Sequence, residues 1–250
     1  MIYGVRRWFF VAVLAVCVQS AHGLDPHRSL NQYGRQMWQT DNGLPQNTVH
    51  AVVQTPDGYI WLGTDDGLVR FNGNEFTVFH TENTPQLGSN SIQTLVVDHQ
   101  NRLWVVTTGG LTLYSERTFQ KVETGLPTTA VWFVHEDGKR RIWVATSGGL
   151  CLMGDSPHEP RCEPVAATQG LSVTKEDKFA EAPNGSIWLA DGDTTMSLLG
   201  DRLERGPMLK TRDGAEILVQ RFDHAGRLLV GTHSGLQAQS HGVLEPIPIA

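Results

Sequence analysis

Four groups of residues in this sequence could carry chemistry. The neighbouring carboxylates Asp65 and Asp66 could hold a cation or the hydroxyls of a sugar. Standing directly before Gly67, they fit a tight turn equally well. Asp191 and Asp193 flank Gly192 and suggest calcium, but that ion takes roughly six to eight oxygen ligands and one such triplet does not assemble them. His50, His99, His135 and His233 are scattered with no close-spaced pair, which argues against zinc. Cys151 and Cys162 could pair across the short, Pro-containing stretch between them in an oxidising compartment, or stand as two partly buried thiols. No nucleophile motif, phosphate loop or kinase signature is present, so no catalytic residue, metal or cofactor is expected.

The amino terminus points to export. Arg6 and Arg7 precede an apolar stretch from Trp8 to Val18, and Ala21-His22-Gly23 offers small residues for cleavage, which makes residues 1–23 a signal peptide and places the remainder in the periplasm. A lipoprotein modified at Cys17 is the alternative, although Val16 is bulky for that role. The formal net charge is −6 and the 20 Lys and Arg residues are dispersed, so there is no basic stripe for nucleic acid. Frequent Gly and Pro (26 and 12) favour many short strands joined by turns.

The elements that must position these groups follow from a repeat. Trp61-Leu-Gly-Thr-Asp-Asp-Gly-Leu68 recurs as Trp104-Val-Val-Thr-Thr-Gly-Gly-Leu111, Trp143-Val-Ala-Thr-Ser-Gly-Gly-Leu150, a degenerate Trp188-Leu-Ala-Asp-Gly-Asp-Thr-Thr195 and Leu229-Val-Gly-Thr-His-Ser-Gly-Leu236, with anchors 43, 39, 45 and 41 residues apart. That period is one four-stranded propeller blade. Gly43, Gly125 and Gly170 each stand 18 residues before an anchor and confirm the register. Asp57-Gly58, Asp137-Gly138 and Asn184-Gly185 are expected to supply the positive φ of tight hairpins, while His99-Gln100-Asn101 takes that place without a glycine.

The expected domain is therefore an all-β propeller over 24–250, with blades at about 48–79, 91–122, 129–165, 173–209 and 217–250. The anchor tryptophans could be stacking platforms, but a fixed place on each second strand suits packing between blades. Tyr33 to Thr40 reads as a lone fourth strand that would close a last blade whose other strands lie beyond Ala250, so the five blades read as an incomplete part of a ring of six, seven or more. The alternative is that Val243 to Ile247 is no strand and the lone strand closes a five-bladed ring.

Trp38-Gln-Thr-Asp-Asn-Gly-Leu-Pro-Gln-Asn-Thr-Val49 and Gly58-Tyr-Ile-Trp-Leu-Gly-Thr-Asp-Asp-Gly-Leu-Val-Arg-Phe-Asn-Gly73 resemble the two-component regulator propeller family, over roughly residues 33 to 250. The resemblance weakens at Ala190-Asp191-Gly192 and at Leu229. It implies seven-bladed propellers in a periplasmic sensor, followed by a small β-sandwich, a membrane helix and a cytoplasmic histidine kinase or diguanylate cyclase. This segment would be the non-catalytic input, with an unknown small molecule or glycan as ligand, the downstream domains as partners and a homodimer as a possible assembly. Propellers resembling virginiamycin B lyase, and propellers that only bind proteins, are the alternatives.

In a blade of alternating strands, the loop entering the first strand and the turn between the second and third emerge on one face. That face gathers the candidate ligand-binding residues Asn47, Asp65, Asp66, Asn90, Thr108, Thr129 and His233.

Overall fold

The structure, a computed structural model, describes residues 36–154, 160–199 and 203–247, and the expected signal peptide lies outside them. The chain divides into two compact units, Met1–Met37 and Trp38–Ala250, and every strand among the described residues belongs to the second. Five antiparallel sheets of four strands follow one another, each in simple chain order. The first holds β1 (Val49–Gln54), β2 (Ile60–Thr64), β3 (Gly67–Phe71) and β4 (Phe76–Phe79), and the second β5 (Ile92–Val97), β6 (Leu103–Thr107), β7 (Gly110–Ser115) and β8 (Thr118–Val122). The third holds β9 (Val131–Glu136), β10 (Ile142–Thr146), β11 (Gly149–Met153) and β12 (Cys162–Pro164). The fourth holds β13 (Phe179–Glu181), β14 (Ile187–Asp191), β15 (Thr194–Leu199) and β16 (Glu204–Lys210), and the fifth β17 (Ile217–Phe222), β18 (Leu228–Thr232), β19 (Gly235–Ser240) and β20 (Val243–Pro246).

This is an all-β propeller that does not close. First strands of successive sheets pack side by side, β1 on β5, β5 on β9 and β13 on β17, which makes them the inner strands of the ring. The pairing of β20 with β19, from Ser240↔Val243 to Gln237↔Pro246, gives the fifth sheet its own fourth strand and removes the five-bladed alternative. The lone strand expected over 33–40 is not seen in its described part: 36–39 is irregular and Thr40–Asn42 is a 3-10 turn. No sheet is there for it to pair with among the described residues, and Trp38 instead meets Phe71 and Phe76 edge-on, ring centroids 4.9 and 6.3 Å away.

Apolar alternation builds the interior in layers between the sheets. Trp61, Trp104 and Trp143 are 1%, 0% and 0% exposed, so the anchors fill the wedges between sheets and leave no face for a ligand. Trp61 lies 4.8 Å from Tyr114 of the second sheet, and Trp143 lies 5.7 Å from Phe179 of the fourth. The indole N–H of each is satisfied by the residue six positions earlier: Thr55 Oγ1 at 3.0 Å, Asp98 Oδ2 at 2.8 Å and Asp137 Oδ2 at 2.8 Å. Each of the two carboxylates also takes the Nε of the arginine before its tryptophan, Arg102 or Arg141, at 2.7 Å. A carboxylate at the end of the first strand thus fastens the tip of its own hairpin.

In these tips the left-handed residue is always the third after that position: Gly58, Asn101, Arg140, Gly185 and Gly226, with φ of 89, 62, 63, 76 and 76°. The expectation for Asp137-Gly138 is corrected accordingly, because the strained φ falls on Arg140. Gly138 serves another purpose, since its N–H donates to Glu181 Oε2 of the next sheet at 2.8 Å and a Cβ there would stand 2.8 Å from Glu181 Oε1. Glu136 does the same one sheet earlier, its Oε2 accepting the His99 N–H at 2.9 Å.

Gly125 is a sharper case. Its φ is +80°, and a Cβ would meet the Cys162 carbonyl oxygen at 1.9 Å. Gly125→Ala should lower unfolding free energy in urea by more than about 2 kcal/mol, from left-handed strain plus the backbone clash. Gly73→Ala, at φ +100° with nothing within 4 Å, carries only the strain and should cost clearly less. Equal losses would show that the contact with β12 contributes nothing.

Candidate functional site

The face expected to bind a ligand is built by one turn used four times. Thr64, Thr107, Thr146 and Thr232 end their second strands and donate their hydroxyls to the carbonyls of Gly67, Gly110, Gly149 and Gly235 at 2.8, 3.2, 2.8 and 3.1 Å. The same oxygens accept the N–H groups of Asp66, Gly109, Gly148 and Ser234 at 3.1 to 3.2 Å. The threonine of the repeat is thus the staple of the turn between second and third strands. In the fourth sheet Asp191 takes its place, and the left-handed residue moves to Gly192, φ 57°.

Each turn then bonds to an entry loop, the turns of the first and fourth sheets to the loop entering the next sheet and those of the second and third to the loop entering their own. Gly67 N–H donates to Asn90 O at 2.8 Å, Thr108 N–H to Ser91 O at 3.1 Å, Ser147 N–H to Ala130 O at 3.0 Å and Thr211 N–H to Asp193 O at 2.9 Å. The two loop sets share one face, and they form a seam between sheets at the first–second and fourth–fifth junctions.

Along that seam the expected residues separate into different tasks. Asp65 is the most engaged: its Oδ1 lies 2.8 Å from His50 Nε2 and accepts the Ser91 hydroxyl at 3.2 Å, while Ser91 Oγ accepts Gln93 Nε2 at 2.9 Å. Four side chains on two blades form one exposed polar chain. The Ser91 hydroxyl points at the carboxylate and not at the imidazole, so this is not a nucleophile with its base. Asp66 is an exposed turn residue whose amide caps the Thr64 hydroxyl. Asn47 accepts the Thr40 N–H at 2.9 Å, and Asn90 Oδ1 accepts the Thr81 N–H at 2.8 Å, so both amides brace loops. Thr108 donates to Ser89 at 2.8 Å. Thr129 is exposed, and its neighbour Thr128 makes the corresponding hydroxyl pair with Ser147 at 2.7 Å. His233 is exposed near Glu216, whose carboxyl is held below its ordinary pKa first by the hydrogen bond from Lys178 (2.7 Å) and then by that lysine's charge.

The seven do not converge on one point. Two clefts lie elsewhere: one between inner strands, lined by His135, Glu136, Phe179, Glu181 and Arg221 among others, and one beside Lys139 and Ser186. Among the described residues no three of His, Cys, Asp and Glu are grouped to hold a metal. Cys151 and Cys162, both fully buried, are joined as a disulfide between β11 and β12 with Cα atoms 5.6 Å apart.

The sequence reading overlooked the bulges. β1, β5, β9 and β17 each carry one extra residue near their start, His50, Gln93, Trp132 and Leu218, the same place in four of the five repeats. Bulges re-aim a side chain. One signal was available: Trp132 lies 11 residues before anchor Trp143, outside the anchor series.

Asp137 gives this scaffold a pH limit. Burial, its largest influence, raises its pKa, but the Trp143 indole, the Arg141 amide and the Arg141 guanidinium together bring it below the ordinary value. A carboxyl depressed in the folded state contributes stability that is present above the unfolded value, near pH 4, and is lost as pH falls through the folded one. Asp137→Asn should flatten the decline of stability below about pH 4, read from urea midpoints at successive pH values. An unchanged slope would show that other carboxyls govern acid unfolding.

The model of the two component regulator propeller family matches residues 43–66 and 86–109, which run from the entry loop to the β2–β3 turn in the first blade and to the β6–β7 turn in the second. Those segments carry the family's repeat, as the sequence resemblance implied. No curated protein matches the chain. Similar solved structures include the extracellular domain of the putative hybrid two component system BT4673 from B. thetaiotaomicron, at 18% identity and TM-score 0.56, covering 84% of this chain and 32% of that one. PorZ, described as a surface component of the type-IX secretion system of Porphyromonas gingivalis, aligns at 13% and TM-score 0.56, over 78% and 32%. Virginiamycin B lyase from Staphylococcus aureus aligns at 10% and TM-score 0.54, over 81% and 71%. At such identities the likeness is one of fold, and the chain spans about a third of the first two structures.

Proposed function

We propose that this chain is the periplasmic, ligand-sensing input propeller of a two-component or cyclic-di-GMP signalling protein, and that this segment is not catalytic. The observation that carries the reading is that the family's repeat includes the junction of the first two blades: the matched residues hold Asp65 and the Ser91 whose hydroxyl bonds to it from the next blade. A small molecule or glycan bound there would touch two blades at once and favour one relative setting of them, a differential contact that a downstream domain can read. Partners in this reading are the membrane and kinase or cyclase segments of a longer protein, with dimerisation as the means of relay. The signal-peptide reading of residues 1–23 supports export, and a helix long and apolar enough to cross a membrane is absent among the described residues.

The test uses the full-length gene product in its host, with phosphotransfer or cyclic-di-GMP as readout. Replacing His50 and Asp65 together by alanine should change ligand-dependent output while the protein is still exported. Output indifferent to the seam, or a full-length protein with no signalling output, would remove the proposal.

A further inference from the structure

The first hairpin tips of the third and fourth blades, at the opposite end of the strands from the seam, border a cleft of about 190 Å³. Its lining is divided between the polar Lys139, Arg141 and Asn184 and the apolar Leu198, Leu199 and Leu203. The tip that supplies the two cations differs from the other four. Its left-handed residue is Arg140, φ 63°, where the others have Gly58, Asn101, Gly185 and Gly226. An arginine in that conformation carries strain that a glycine would not. Lys139-Arg140-Arg141 thus puts three consecutive cations where each other tip has one arginine at most, in a chain of net charge −6. Lys139 and Arg140 are exposed and hold no ion pair among the described residues.

The polar groups of the lining are held in place with donors to spare. Arg141 is fixed through its Nε by Asp137 Oδ2 at 2.7 Å and by the Trp143 ring at 5.2 Å, and its two Nη groups have no hydrogen bond. Asn184 Oδ1 accepts the Ser186 N–H and hydroxyl at 3.0 and 2.7 Å, which leaves its amide nitrogen as a donor. Lys139 reaches the fourth blade, since a Cβ on Gly185 would stand 3.2 Å from Lys139 Cε and 4.0 Å from Nζ. The carboxylates beside it are otherwise engaged: Asp137 holds Arg141, and Glu181 Oε2 takes the Gly138 N–H without an ion pair to Lys139. With Arg141 matched by Asp137, Lys139 is the one uncompensated charge of the lining, which suits a monoanion, and a planar guanidinium with free Nη donors suits a carboxylate. The leucines, of which Leu199 is 46% exposed, gain nothing from a hydrated inorganic anion, so the ligand needs an apolar body. An apolar cavity of about 150 Å³ holds benzene, which limits that body to about one aryl ring or a short alkyl chain. We infer that this cleft is a binding site for a small apolar monocarboxylate, its head on Lys139 and Arg141 and its body on the leucines. The site goes beyond the input reading and does not depend on it.

The test is titration calorimetry on the full exported protein with three groups of probes. Benzoate, phenylacetate and hexanoate have both head and body. Benzyl alcohol and hexanol have the body without the charge, and acetate and inorganic phosphate have the charge without the body. At least one acid of the first group should bind about tenfold or more tighter than every probe of the other two. Lys139→Gln should weaken it by about tenfold, through loss of a charged partner, and Leu199→Ser by about threefold or more, through loss of apolar contact. Melting temperatures should be unchanged, because both side chains are exposed and Lys139 has no ion pair to lose. Silence from the acids overturns the inference, as do alcohols, acetate or phosphate that bind as well as the acids. Acid binding that either variant leaves unchanged overturns it too. None of these results bears on the input reading, which is judged by the signalling output of the His50 and Asp65 double variant.

Discussion

Replacing Asp98 by alanine should cost about 3–5 kcal/mol of unfolding free energy, the range for stripping a buried charge of its partner. The side chain of Asp98 is fully buried, and its two oxygens accept from Arg102 Nε, Trp104 Nε1, the Arg102 amide and the Gln100 amide at 2.7 to 3.0 Å. Arg102 is only 5% exposed in its side chain, so without Asp98 the guanidinium stays among apolar groups with its charge uncompensated. Asp98→Asn keeps the volume and some acceptors and should fall between. The control lies in the fifth blade, where Asp223 holds Arg227 in the same way but the arginine is 61% exposed and Leu229 replaces the tryptophan. Water screens that pair, so Asp223→Ala should have a small effect. Urea unfolding of the three variants decides the matter, and equal losses at Asp98 and Asp223 would refute the argument from burial.

The same contrast explains what was legible in the sequence. Anchor spacing, turn glycines and alternation report on backbone periodicity, which is local, and they led to five four-stranded blades. The aspartate six residues before an anchor was equally visible at Asp98, Asp137 and Asp223, yet its role depends on a side chain turning back over its own hairpin, which spacing alone does not reveal. Gly138 was misread because Asp-Gly signals a hairpin, whereas this turn puts the left-handed residue two places later and uses the glycine to admit Glu181 from the next blade. Strand alternation put the rim residues on one face. Which of them act together was hidden, since His50, Asp65, Ser91 and Gln93 meet only across a blade seam. Trp132 was masked by the stronger anchor series, because a bulge shifts one residue out of the alternation that the reading relied on.

Reduction of the Cys151–Cys162 disulfide should cost about 3 kcal/mol, the entropy regained by freeing a loop of this length in the unfolded chain. The two cysteines are 11 residues apart, and the bridge ties the third blade's fourth strand, the three-residue β12, to β11. Three paired positions, Met153↔Cys162, Leu152↔Glu163 and Cys151↔Pro164, are a weak hold for an outer strand. The strand also holds the loop by which the chain enters this blade from the second, since the Cys162 N–H donates to Thr124 O at 2.9 Å beside the crowded Gly125. Both sulfurs sit in the same apolar cluster as Trp104 and Val134, so loosening β12 opens the wedge between the second and third blades. A lower calorimetric melting temperature in dithiothreitol, reproduced by the Cys151→Ala/Cys162→Ala double variant, is the expected result. Gly125→Ala should add less in that variant than in the bridged protein, because a freed β12 can move away from the new methyl. If reduction leaves the melting temperature unchanged, the bridge is not a staple, and export to an oxidising compartment gains no support from it.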